Sequence, residues 1–293
     1  MLKQSKNEVF IEGILNEVDL EVKKDRNDKT YISGKVFFLV QQTINGVEDT
    51  DIIPVNVFAY EITRNNKVNP AFKSAKDLLD NYRSVASLSG EDNAIDKADR
   101  YSVTGASIAV NQFLSADKRV VSYPIIRGSF FQKVNRNFTP TATFSQEILI
   151  KKIEPEVKDE EETGRLNIDG VVIQYGEVPD IIRYVVGDAK AVDYINNYWE
   201  PEDTVKIDGR IRWSTIEDTV EDDTEVGFGT PEKKVVQKNL REFVITSGSA
   251  QGYPEETRYN VEEVIAALQK KKEDFENKQK TNQEKSVSRS RGF

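Results

Sequence analysis

Hydrophobic and polar residues alternate over much of the first 150 positions, with the period of two that marks half-buried β-strands. Val9 to Leu15 opens a long strand, Tyr31 to Gln42 predicts a second and Asp51 to Glu61 a third. Lys73 to Leu88 breaks the alternation. Ala75, Leu78, Leu79 and Tyr82 fall there on one side of a 3.6-residue repeat, which predicts a helix. Tyr101 to Gln112 predicts a fourth strand, and Val120 to Val134 and Thr143 to Ile153 supply further strand material. The run from Glu154 to Gly164, dense in acid and containing Pro155, reads as a linker. The pattern then recurs. Leu166 to Val171 echoes Phe10 to Ile14, and Asp180-Ile181-Ile182 echoes Asp51-Ile52-Ile53. Ala191 to Trp199 echoes the Lys76 to Tyr82 helix, and Val205 to Ile211 echoes Ser102 to Ile108. The spacing is unequal, because Gly13 precedes Asp51 by 38 residues and Gly170 precedes Asp180 by 10. Val261 to Phe275 carries an apolar stripe of Val261, Val264, Ile265 and Leu268 and predicts a helix. These patterns divide the chain into an N-terminal domain at 1–153, an acidic linker at 154–164, a second domain at 165–255, a C-terminal helix at 256–276 and a disordered basic tail at 277–293.

Composition narrows the chemistry. With 293 residues the chain has length for two domains, each with its own core. No apolar run approaches the ~20 residues of a membrane span, and MLKQSKNEVF lacks a signal core. The expected compartment is the cytoplasm, that of the host if the protein is viral. The absence of Cys removes disulfides, thiolate nucleophiles and Cys-type zinc sites. The absence of His removes a Ser-His-Asp relay, a His general base and His-ligated metals. Neither a G-x-x-x-x-G-K-[ST] loop nor a strand-borne G-x-G-x-x-G occurs; Gly227-Phe228-Gly229 reads as a turn, and Asp25 to Lys29 lacks the spacing of a calcium loop. No enzyme, cofactor or metal site is expected, although carboxylate and Lys chemistry stay open. The net charge of −9 argues against nucleic acid only as a total. Residues 1–150 hold 19 basic and 19 acidic side chains, whereas residues 151–255 hold 13 and 24. Contact with phosphate follows the local potential within a Debye length of ~8–10 Å, so the second domain is the acidic one and the first is free to bind anions.

Three strands, a helix and two strands, with Gly in the first and fourth strands, form the element order of the OB-fold. Together with the repeated Gly-centred and Asp-Ile-Ile elements, this makes the chain up to about Tyr253 resemble the tandem OB-fold, single-stranded DNA-binding proteins of bacteriophage type. The resemblance implies a mainly β fold: two OB-fold-like β-barrel domains in tandem, each with a short helix, plus a C-terminal helix. It also implies a nucleic-acid surface on strands 2 and 3 and on the loops joining strands 1–2 and 4–5. Bacterial proteins of this kind end in an acidic tail with a Pro-Phe tip. This chain ends Ser286-Val287-Ser288-Arg289-Ser290-Arg291-Gly292-Phe293, which shares the Phe and not the acidity.

Alternation assigns the faces. In the second strand Ile32, Gly34, Val36, Phe38 and Val40 share the core side, and in the third Ile53, Val55, Val57 and Ala59 do. The opposite side carries Tyr31, Lys35, Phe37, Asn56, Phe58 and Tyr60, a set suited to base stacking at ~1–3 kcal/mol per base. Lys23, Lys24, Arg26 and Lys29 follow the first strand, and Arg64 and Lys67 follow the third. Further along, Lys118, Arg119, Tyr123, Arg127, Phe131, Lys133, Arg136 and Phe138 interleave basic and aromatic residues, with Tyr123, Arg127, Phe131 and Lys133 on one side by parity and Gly128 as a candidate bulge. Each aromatic alone reads more readily as packing and each cation as solvated surface; their combination on one face carries the functional reading.

In the second domain Arg210 and Arg212 point outward if Val205, Ile207, Gly209 and Ile211 are core, and Trp213 shares the core parity. Glu217 to Glu225 reads as a solvated acidic loop that repels phosphate. The expected function is non-catalytic coating of single-stranded DNA in phage or host replication, recombination or repair. Replication or recombination proteins are expected as partners at the acidic second domain or the C-terminal tail, and no membrane partner is expected. Two other readings are a protein-interaction adaptor or virion structural protein built from β-barrels, and an OB-fold accessory subunit of a nuclease or polymerase.

Overall fold

The computed structural model describes residues 2–44, 47–115, 117, 119–221 and 233–290, with side chains over 2–42, 48–115, 117, 119–215 and 239–277. Long alternating segments give long strands. β1 (Asn7–Lys24), β2 (Thr30–Ile44) and β3 (Val47–Tyr60) form an antiparallel meander. α1 (Pro70–Asp80) leads through a single 3₁₀ turn at Ala86–Leu88 and a short α2 (Ala94–Lys97) to β4 (Arg100–Leu114), β5 (Val120–Arg127) and β6 (Phe130–Lys133). β3 meets β5 in parallel, β5 pairs β4, and β4 closes on β1. The sequence β7 (Thr141–Lys158), β8 (Glu161–Gln174), β9 (Val178–Val186), α3 (Ala189–Tyr198), β10 (Thr204–Glu221) and β11 (Lys233–Gly248) repeats this path. β9 meets β11 in parallel and β10 closes on β7. Both groups therefore have the five-stranded OB-fold closure. The chain is mainly β, with few helices, as the sequence predicts.

The barrels are joined through one sheet. Asn7 to Glu12 of β1 pair with Gln146 to Thr141 of β7, which links all eleven strands. Side chains extend the seam: Asn7 Nδ2 donates to Gln174 Oε1 at 3.1 Å, and the Val110 amide donates to Asp180 Oδ2 at 3.0 Å.

The barrel cores follow the alternation. Ile32, Val36, Phe38 and Val40 of β2 and Ile53, Val55 and Val57 of β3 are buried. α1 closes one barrel end with Phe72, Ala75 and Leu78. It starts earlier and stops sooner than the Lys73–Leu88 pattern predicts, because Asn69 caps it, accepting from the Ala71 amide, and Pro70 fits the first turn.

Four expectations change. The segment expected as a linker, 154–164, is a hairpin: β7 runs to Lys158, Asp159 and Glu160 turn at positive φ, and β8 begins at Glu161. Charged side chains on its water face hide the alternation. Thr143 to Ile153 consequently starts the second barrel instead of ending the first. The motif echoes are also displaced. Gly34 stands opposite Val57 and Gly170 opposite Ile182, so Gly170 matches Gly34 and not Gly13. β7 then supplies the missing first strand, and the remaining difference in spacing is the shorter β8–β9 hairpin. Within the acidic run, 217–221 belong to β10 and pair with β11, while 222–225 lie outside the described residues. Finally, α4 (Val261–Ser290) continues as helix beyond Glu276, where composition predicts disorder.

Candidate nucleic-acid interface

The outer face of β2 and β3 carries a ridge of three rings. The register sets Tyr31 opposite Tyr60 and Ser33 opposite Phe58. Ring centroids lie 5.5 Å apart for Tyr31–Phe58, 5.8 Å for Tyr31–Tyr60 and 5.3 Å for Phe58–Tyr60. Phe58 is 63% exposed. Single exposed aromatics are ordinary, but three rings in mutual contact on a water-facing sheet form a patch suited to a ligand.

The next rung supplies charge. Lys35 stands opposite Asn56, which pairs with Arg127 of β5. Asn56 is half-buried and its Nδ2 donates to the Ile126 carbonyl at 3.2 Å. Lys35 and Arg127 are exposed, and neither has an ion pair among the described residues. With Phe58, Asp19, Ile125 and Ser129 they line a groove of 710 Å³. Phe37 sits one rung further, half-buried opposite Pro54.

The β1–β2 loop borders the other end. Asp25 Oδ1 accepts from the amides of Asn27 at 2.8 Å and Lys29 at 3.0 Å, and Asp25 Oδ2 accepts from the Tyr60 hydroxyl at 3.3 Å. The Lys29 amide, above all, holds the Asp25 carboxyl below its usual range. Desolvation and the Asp25 charge push the Tyr60 phenol up, so it is a neutral donor. A second groove of 660 Å³ opens beside Tyr60, lined by Lys29, Thr63 and Arg64. Arg26 and Lys67 are exposed nearby in sequence. Lys24 is paired with Asp28 at 2.9 Å and Lys23 with Glu21.

The later basic-aromatic run divides. Tyr123 and Arg127 share the outer face of β5, because Ile126 faces the core. Arg119 is exposed and paired with Asp117 at 2.8 Å, and Lys118 lies outside the described residues. Phe131 is a core residue: it is 8% exposed and stacks on Phe38 at 6.3 Å. Gly128 and Ser129 interrupt β5 before β6, and parity restarts across the break; a Cβ on Gly128 would lie 2.5 Å from Val55 Cγ1. Lys133 pairs with buried Asp99 at 2.8 Å, and Arg136 pairs with Glu12. Lys133 stands opposite Tyr101, six β4 residues from the Arg127 rung, or about 20 Å. Phe138 is half-buried beneath the Arg100 guanidinium at 5.7 Å. Phe131, Lys133, Arg136 and Phe138 therefore leave the candidate face. Phe113 joins it: its ring lies 6.0 Å from Tyr123, whose hydroxyl accepts from Asn111 Nδ2 at 2.9 Å. Ending the fourth strand at Gln112 hides Phe113; two more residues of alternation place it on the Tyr123 side.

In the second barrel, Arg212 Nη2 lies 2.7 Å from Asp49 Oδ2 and Arg210 Nη1 3.8 Å, so both outward-pointing cations are spent on the first barrel's β3. Burial, then the Arg212 charge, lowers the Arg210 pKa. Trp213 is half-buried, with the Arg241 guanidinium 5.3 Å from its ring centroid. Among the described residues no carboxylate group is arranged to hold a metal ion, and no helix is long and apolar enough to cross a membrane.

The wild-type single-stranded DNA-binding protein of Thermus aquaticus has a similar structure, with TM-score 0.51, 8% identity, and coverage of 86% of this chain and 96% of that one. A deletion mutant of the same protein matches with TM-score 0.49 and 9% identity over 86% of this chain and 98% of that chain. At these identities the likeness is one of fold. No curated protein matches the sequence. The YorF family model matches residues 6–282. The chain, built of two OB-like barrels, belongs to the YorF family.

Proposed function

We propose that this protein binds single-stranded DNA without catalysis, on the outer face of β2, β3 and β5, and protects exposed strands during phage or host replication, recombination or repair. The observation that carries the reading is the Tyr31–Phe58–Tyr60 ridge, with Phe58 and Tyr60 exposed, directly beside Lys35 and Arg127, which have no ion pair among the described residues. Bases stack on the rings and phosphates meet the cations, a combination that tolerates any sequence. The track runs from Tyr60 along β3 to the Asn56–Arg127 rung and on along β5 to Tyr123, eight residue steps or about 27 Å. That length suits the lower end of the ~4–16 nucleotides an OB barrel covers. The Thermus aquaticus structure, whose name records single-stranded DNA binding, supports the same reading through the shared fold.

The test is titration with oligo(dT) and with duplex DNA at two salt concentrations. Oligo(dT) binding that weakens as salt rises, with duplex bound more weakly, is the expected result. No oligo(dT) binding at low salt would overturn the proposal and favour a protein-interaction role.

A further inference from the structure

The two barrels present different chemistry at the same fold positions. With Gly34 matched to Gly170, the rung Asp19–Lys35–Asn56 corresponds to Leu149–Val171–Ile181, and Phe37–Pro54 corresponds to Ile173–Pro179. Tyr31, Phe58 and Tyr60 correspond to Asn167, Arg183 and Val185. No ring remains at these ridge positions. The one cation, Arg183, is held by Asp169 at 2.8 Å and Glu154 at 3.3 Å. In place of a charged groove there is an apolar seat.

That seat is filled by the chain itself. Leu149, Val171 and Ile173 are buried in a cluster with Tyr259 and Val264, with Leu2, Val261 and Leu268 packed against it. The chain's first residues help, since the Ser5 amide donates to the Ile173 carbonyl at 2.9 Å. Lys271 of α4 pairs with Asp180 and donates to the Pro179 carbonyl at 2.9 Å. Asp180 also accepts from the Val110 amide of β4, so α4 is tied to the barrel that carries the aromatic ridge.

We infer that the second barrel's ligand face is a helix seat whose occupant is α4, so that one chain offers one single-stranded DNA track. The count of DNA tracks rests on the proposed function; the seat does not. Two measurements separate them. Val264→Asp, and the milder pair Leu268→Ala with Lys271→Ala, unseat α4. Trypsin then cuts after Lys270 and Lys272, present in both variants, faster in the folded variants than in the intact protein, while α4 staying equally protected in both variants overturns the seat. Native mass spectrometry with oligo(dT) of roughly eight nucleotides counts the tracks. One oligonucleotide per chain in the intact protein and in the unseated variants is the expected result. A second one bound after α4 is released, or lost with Arg183→Ala, overturns the single track. An intact protein that binds none defeats the DNA reading, and the trypsin result still judges the seat.

Discussion

The Phe58 ring stands edge-on to Tyr60, at 85° and 5.3 Å between centroids, with Phe58 largely exposed to water. Neither ring supports the core, so both can be removed without opening a cavity. Base stacking contributes ~1–3 kcal/mol per base. Phe58→Ala with Tyr60→Ala therefore lowers oligo(dT) affinity by about tenfold or more while the far-UV spectrum and melting temperature hold. Unchanged affinity in the folded double variant would place the DNA elsewhere.

Lys35 and Arg127 flank one rung of the track, and no carboxylate among the described residues pairs with them. Each phosphate neutralised on a single strand contributes ~0.7 to the slope of log affinity against log salt. Replacing both with Ala reduces that slope by about 1.4, with little change in the affinity extrapolated to high salt. Titrations at several salt concentrations measure it. A slope that stays constant would remove these two cations from the interface.

The ridge was legible because β2 and β3 keep strict alternation with one face buried, so each parity assignment had a single physical outcome. Phe131 was not, because Gly128 and Ser129 reset the parity before it. The β7–β8 hairpin was hidden by its own surface charge, which resembles a linker to any argument from composition. Nor does the sequence show that α4 docks on Val171 and Ile173, since the stripe of Val261, Val264 and Leu268 fits any apolar seat. Gly170 misled in a different way: β-Gly-β segments look alike, and only pairing with Ile182 identifies its strand as the second of its barrel.

Phe131 supplies the contrasting variant. It packs on Phe38 inside the first barrel, and its amide N–H is spent on Ser74 Oγ at 2.8 Å. Phe131→Ala leaves a cavity and costs about 3–5 kcal/mol of stability. Urea denaturation should register that loss, whereas oligo(dT) affinity measured well below the transition stays near that of the intact protein. A loss of affinity with unchanged stability would return Phe131 to the binding surface.

Asp25 organises the loop that borders Tyr60, accepting from the Asn27 and Lys29 amides and from the Tyr60 hydroxyl. These contacts favour the carboxylate, so its folded pKa lies below the ordinary 3.8. A depressed carboxyl pKa gives stability that is fully present above the unfolded value and lost as pH falls through the folded one. The loop is thus held at neutral pH and released only in acid below about 3.8. Asp25→Ala removes the acceptor at every pH, so the Asn27 and Lys29 amides exchange faster in the variant at neutral pH. Asp25→Asn keeps one acceptor oxygen and falls between the two. Hydrogen exchange followed by NMR reads both amides directly. Equal exchange in the intact protein and Asp25→Ala at neutral pH would show that the loop is ordered by something other than this carboxylate.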